Sequence, residues 1–329
     1  MAHHHSPHPV LITFAIVILI ALTCVLTVPK TAIALSSEHW VHFFPAWEDI
    51  ISTILKKKNV QAALKNYRDH FHKNPRTGYK IMNLVLGAFP EFRKSEMASA
   101  SVILGLAPAL LQQLSPTYAD TAELAICRPV LAFMIAAGSP AVGLVDPSNC
   151  INIVKKLEDK PKQGASDEQG YARIEEECTW TDDLAPTIIW VFEYVLAAVA
   201  IANSLHLTYS LGVWAVCSFA PSNTTLPSVW CISAILVHLF GWLVLDGMRL
   251  GGIFPSSLSL STDRGRVAKG AVALAFCLYV GCAVQALYGT LILSSLLFIS
   301  VRDATFVVLR YIASALVCRL LVFRSCYDD

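Results

Sequence analysis

The sequence predicts an all-α fold, a polytopic transmembrane helical bundle of about seven crossings with its N-terminus outside and its C-terminus inside. Three observations carry this. Of the 329 residues, 55% are hydrophobic and 15% charged, and the mean hydropathy of +0.55 lies far from the balance of a soluble domain. Uncharged stretches of the length a bilayer demands recur along the chain. Lysine and arginine gather on alternate connections, as they do where cytoplasmic loops retain them.

The remaining composition excludes several classes. A net charge of +1 supplies no basic field for nucleic acid. The ten cysteines include no CxxC pair, and Cys24, Cys277, Cys282 and Cys318 lie inside apolar runs, so they read as small packing residues and not as a zinc site. No HExxH, P-loop or GxSxG motif occurs. The histidines at His3, His4, His5 and His8, and at His70 and His72, are too loosely set to define a metal site, and no cofactor is expected.

Five apolar stretches are clear crossings: residues 9–28, 186–206, 229–245, 271–293 and 304–323, the last interrupted by Arg310 and Arg319. The first could be a signal peptide, but no Lys or Arg precedes it and its apolar run is too long for one, so it is read as a retained helix. Two shorter stretches, 98–114 with Pro108 and 130–145 with Gly138, Ser139 and Pro140, either cross as broken helices or dip in and return. Irregular backbone at membrane depth must be enclosed by protein or line a cavity, so both readings place this pair inside the bundle. Two full crossings are preferred.

With seven crossings, segments 29–97, 146–183, 247–270 and the tail 324–329 share the inner side and hold 21 of the 25 Lys and Arg residues. The outer segments keep only Arg128 and Arg302. Segment 29–97 begins with aromatic residues around Trp40 and Trp47 and continues into Lys56, Lys57 and Lys58, which suits a helix at the headgroup level or one packed under the bundle. Segment 146–183 reads as a solvated linker. The loop 212–228 lacks Lys and Arg and contains the chain's single Asn-x-Ser/Thr sequon, which makes Asn223 a glycosylation candidate on the outer side. Cys217 and Cys231 bracket the same loop and are a candidate disulfide.

Polar side chains within a span cost on the order of 3 kcal/mol, so each is a functional candidate. Glu193, His238, Gln285 and Arg310 qualify. Each shares its helical stripe with small residues: Glu193 with Ala197, Ala200 and Ser204; His238 with Ala234 and Gly241; Gln285 with Gly281 and Gly289; Arg310 with Ala313 and Ser314. Small residues allow close helix approach, so the four are expected to face inward as one polar core. Glu193 and Arg310 are expected to compensate each other, although their depths differ by roughly 8 Å. A charge pair that only fixes helix register is an equally good account. Asp303 and the pair Asp120 and Glu123 read as helix caps, and Arg319 as a side chain that snorkels.

The run 100–108 ending in Ala107-Pro108, the segment Thr121-Ala122-Glu123-Leu124, the pair Arg128-Pro129 with residues 137–142, and the C-terminal pieces Tyr288-Gly289-Thr290, 294–298, Asp303-Ala304, Arg310-Tyr311 and Cys318-Arg319 resemble a group of integral membrane proteins of filamentous ascomycete fungi. The resemblance implies a membrane topology and a fungal source, and no mechanism. Two function classes stay open. One is a non-enzymatic role in transport, sensing or scaffolding, with the lipid bilayer and a small apolar molecule as partners, in the plasma membrane or an endomembrane. The other is an intramembrane enzyme analogous to small terpene cyclases. Those enzymes need more than one acid in the core, and only Glu193 qualifies, with Asp246 at a helix end.

Overall fold

The computed structural model describes residues 39–70, 76–145, 184–250 and 264–327. The expected crossing at 9–28, the loop 146–183 and the histidines at positions 3, 4, 5, 8 and 72 lie outside the described residues. The described residues form ten helices: α1 Glu48–Leu55, α2 Lys58–His70, α3 Thr77–Gly87, α4 Glu91–Leu114, α5 Tyr118–Cys127, α6 Pro129–Gly138, α7 Leu184–Val213, α8 Leu226–Leu250, α9 Arg264–Ser294 and α10 Val301–Tyr327. The sole sheet among the described residues is a two-residue antiparallel pair, β1 Val216–Cys217 with β2 Leu296–Leu297.

Among the described residues, five helices are long and apolar enough to cross a membrane: Glu91–Leu114, Ile189–Val213, Leu226–Val244, Leu274–Ser294 and Val301–Ser325. Leu205, Leu287 and Leu320 are 65%, 69% and 66% exposed, each within such a helix. Water does not tolerate so continuous an apolar belt, whereas hydrocarbon does. The core between the helices is built from small residues and a few large ones, with Ala100, Ala107, Leu211, Trp230, Leu293 and Tyr311 fully buried together.

Helix α4 corrects the reading of 98–114 as a short, broken element. It starts at Glu91 and runs unbroken through Pro108. The proline removes one N–H from the ladder, but its ring has a place to go: it packs against Gly289 of α9, where a Cβ would lie 3.0 Å from Pro108 Cγ. Arg319 of α10 donates from Nη1 to Gln113 O at 2.7 Å, satisfying one of the last carbonyls of α4 and placing a cation at its negative end.

The stretch 130–145 does not form a long apolar helix of the kind the other spans form. Only ten residues of it and its flank, α6, are helical, about 15 Å or half a bilayer. Thr117 caps α5 through a reciprocal pair with Asp120. The chain turns at Arg128, where Pro129 opens α6 with its fixed φ. Gly138, Ser139 and Pro140 then end α6, and Gly143 N donates to Pro116 O at 2.9 Å while Thr117 and Gly143 form a bridge. The start of α5 and the residues after α6 therefore meet, and α5 and α6 fold back on each other as a hairpin, hereafter the re-entrant pair. Ala141 and Val142 of the return are completely buried.

This changes the placement of everything before it. With one crossing at α4, residues 39–90 lie on the face of the bundle that carries the loop between α7 and α8, not on the opposite face. Helices α1 to α3 pack there directly. His39 Nε2 is 3.1 Å from Pro221 O, Tyr79 Oη donates to Phe219 O at 2.5 Å, and Trp40, Phe43 and Phe89 surround Phe298 at 5.9, 6.4 and 6.0 Å between ring centroids. The aromatic residues expected at headgroup level are thus a second buried core, under the bundle. Trp40 and Phe298 both hold positive φ, 71° and 63°, a strain of about 1 kcal/mol or more for each that aims the two rings at each other. Nine basic residues between Lys56 and Lys94 are described on this face.

Candidate functional site

Three of the four expected core residues hold the re-entrant pair in place. Glu193, 3% exposed near the start of the α7 span, receives Arg128 Nη2 on Oε2 at 2.6 Å, while Arg324 Nε of α10 stands 3.7 Å from Oε1. Arg128 sits at the tip of the pair. Its guanidinium also lies over the Trp190 ring at 4.6 Å and the Tyr194 ring at 5.7 Å, and Nη1 reaches Ser325 Oγ at 3.4 Å. The α7 aromatics one turn apart on the Glu193 face form a sleeve that excludes water and strengthens the pair.

His238 of α8 holds α5. Its Nδ1 lies 2.9 Å from Thr121 Oγ1, and α8 comes this close because Gly241 carries no side chain: a Cβ there would stand 2.8 Å from Tyr118 Cβ. Gln285 of α9 holds the return, donating from Nε2 to Pro140 O at 3.2 Å. Gln112 makes a matching link from α4 to Cys282 O at 2.9 Å. Gly138, at the end of α6, fits against Ala200 and Cys318, where a Cβ would meet Ala200 Cβ at 3.1 Å and Cys318 Sγ at 3.0 Å, and its carbonyl accepts from Ser204 Oγ at 2.7 Å. The small stripe 197, 200 and 204 of α7 exists to receive α6.

Arg310 is not part of this assembly. The expected pairing with Glu193 fails because Arg128 reaches the carboxylate from the same depth, whereas Arg310 stands fifteen residues up α10 from Ser325, about 22 Å away. It is exposed on the bundle side, where Nε donates to Asn203 Oδ1 at 2.9 Å; Asn203 Nδ2 in turn donates to Arg310 O at 2.9 Å and Ser314 Oγ at 2.7 Å. Three residues therefore escaped the sequence reading: Arg128, assigned to an outer loop; Thr121; and Asn203. The signal for Arg128 was present, a lone cation directly before a proline between two apolar runs.

Between α5, α6 and α8 lies a cavity of about 30 Å³ lined by Thr121, Ala125, Ala132, Phe133, His238 and Trp242 among others. Thr121 Oγ1 also lies 3.1 Å from Tyr118 O and 3.2 Å from Thr117 O. With Nδ1 beside Thr121, Nε2 is the ring nitrogen left for a further hydrogen bond. That nitrogen is buried and meets no protein partner.

Cys217 and Cys231 are free thiols with separate partners, Ser295 Oγ at 3.1 Å and Thr208 Oγ1 at 3.1 Å, so the candidate disulfide is not formed. Asn223 is exposed and its Oδ1 accepts from Thr225 N at 2.9 Å and Thr225 Oγ1 at 2.8 Å, an Asx turn that keeps the loop tight. Among the described residues no three His, Cys, Asp or Glu side chains gather to hold a metal ion.

No protein-family model, curated protein or solved structure matches this chain. What the site can do has to be read from its own geometry.

Proposed function

We propose that the chain is an integral membrane protein with a non-enzymatic role, carrying or sensing a small molecule at an intramembrane site built by the α5–α6 pair. The observation that supports this best is the non-helical return at residues 139–145, buried over 139–143 and held at span depth by Gln285. Broken helices enclosed by a bundle are the usual way for a membrane protein to build a binding site away from either surface. Of the anchors, His238 lines the cavity, while Glu193 and Gln285 hold the pair away from it. An enzymatic reading relied on Glu193 as an acid, and Arg128 and Arg324 occupy both of its oxygens.

The role fits a plasma membrane or endomembrane and a small apolar partner, and does not involve nucleic acid. Deleting the gene and comparing metabolites inside and outside the cells tests this. An altered inside-to-outside ratio with every product still made is the expected result. A missing product together with an accumulated precursor would assign the chain to catalysis instead.

A further inference from the structure

The cavity beside α5, α6 and α8 has one unmet chemical requirement. His238 is 2% exposed, its Nδ1 is beside Thr121, its side chain lines the cavity, and its Nε2 has no hydrogen-bond partner. A buried ring nitrogen left bare is costly, so the site calls for a hydrogen-bonding partner. Of the lining groups, the Thr121 hydroxyl, the His238 imidazole and the Trp242 indole are polar and none is a carboxylate, ammonium or guanidinium; the rest is hydrocarbon, with Ala125, Ala132 and Ala136 leaving the space. An ion or zwitterion would lose its hydration there and recover nothing.

Size and depth narrow the guest further. A volume of about 30 Å³ admits a hydroxyl-bearing carbon or two waters, and no whole metabolite. Phe133 and Leu239, both only half-buried, stand at the rim, so the rest of a larger molecule would lie along the side of the bundle. His238 is twelve residues from Leu226 and six from Val244, the ends of its span, which puts it about 18 Å from one end and 9 Å from the other. A guest reaches that depth through lipid.

We infer that this cavity receives the hydroxyl end of a lipid-soluble alcohol, which donates to His238 Nε2 while its hydrocarbon body rests against Phe133 and Leu239. The inference rests on the carrying or sensing role proposed above and names its ligand class. Alanine at 125, 132 and 136 and the proline at 129 then have a common purpose: they keep one wall of the site shallow enough for a head group.

The purified full chain in nanodiscs, photolabelled with a diazirine-bearing hexadecanol and, in parallel, with a diazirine-bearing hexadecane, tests this without any variant. The alcohol is expected to label the fragments containing Phe133 or Leu239 about fivefold more than the alkane, the worth of one neutral hydrogen bond, and excess dodecanol should compete it away. Ala132→Leu, which fills the cavity, and His238→Leu, which removes the acceptor, should each bring the alcohol down to the alkane level. Equal labelling by the two probes in the wild-type chain, or full labelling in His238→Leu, would mean that the cavity holds water or nothing, and would overturn the inference. Preferential labelling together with an unchanged metabolite ratio would instead sink the carrying role and leave the site standing.

Discussion

Arg128 and Glu193, 65 positions apart in sequence, meet at 2.6 Å with the carboxylate side chain only 4% exposed. The contact closes the tip of the re-entrant pair onto α7, and it is the strongest single restraint on that pair. Removing one partner strands the other. Glu193→Leu is expected to lower stability in detergent by about 3 kcal/mol, because a buried guanidinium is left without its counter-charge, whereas the double variant Arg128→Met with Glu193→Leu recovers most of the loss. Graded-denaturant unfolding of the three proteins measures both. If the double variant were as unstable as the single one, the pair would be doing more than holding the tip.

Arg310 leads to the opposite expectation. It lies exposed along the bundle and is held by Asn203, which keeps its bonds to Arg310 O and Ser314 when the guanidinium is gone. Arg310→Leu also removes a charge worth on the order of 3 kcal/mol of insertion cost. Folded yield should therefore stay level or rise, as read by monodisperse recovery from membranes. A collapse in yield would show that Arg310 meets a partner outside the described residues.

The bundle and three of its polar anchors were legible in the sequence, and the pairing and the topology were not. Glu193, His238 and Gln285 announce themselves because an uncharged span leaves few reasons for a polar side chain, and small neighbours mark the buried side. Their partners are a different matter: Arg128, Thr121 and Pro140 lie on an element whose apolar run cannot reveal whether it crosses or returns. That ambiguity spreads. Counting 130–145 as a crossing reverses the side of every residue before α4, including Lys56, Lys57 and Lys58, although each local reading is sound. Pro108 contributed as well, since its tolerance depends on the gap at Gly289 on a helix some 180 residues away.

Gly241 sets the distance between α8 and α5. A Cβ there would stand 2.8 Å from Tyr118 Cβ and 2.9 Å from Cδ2, and Tyr118 is completely buried, with no room to withdraw. Gly241→Ala should cost about 2 kcal/mol, as overpacking does in a well-filled core. It should also draw Thr121 away from His238. Unfolding measurements and hydrogen exchange at the α5 amides would report the two effects together, and an unchanged exchange rate would show that α5 is positioned by α6 alone.

His39 gives the three-helix layer a pH dependence. Burial holds its pKa down at about 4 against an ordinary 6.5, while its contact with the Pro221 carbonyl offsets only part of the effect. The folded state thus keeps His39 neutral where the unfolded chain has begun to bind a proton. Stability conferred by this docking is complete above about pH 6.5, declines as pH falls below it, and levels off near pH 4, for a total of about 3 kcal/mol. Protease sensitivity of the 39–90 segment measured between pH 7 and pH 4 should rise in the wild-type chain. Replacing His39 with Gln should flatten the profile, and a slope that survives the substitution would assign it to another group.

The placement of that layer can be tested without knowing which face is cytoplasmic. Lys57 and Asn223 are both exposed on the same side of the bundle, because His39, Gly78 and Tyr79 tie α1–α3 to Phe219, Pro221 and Ser222. Ser325 lies at the other end of α10, beside Arg128. Cysteines introduced at Lys57 and at Asn223 should therefore react with an impermeant maleimide from the same side of sealed vesicles, and a cysteine at Ser325 from the other. Occupancy of the Asn223 sequon, seen as a mobility shift lost in Asn223→Gln, would add the absolute orientation and put the basic layer outside with it. Labelling of Lys57 and Ser325 from one common side would restore the extra crossing at 130–145 and with it the charge asymmetry, and the re-entrant pair would have to be abandoned.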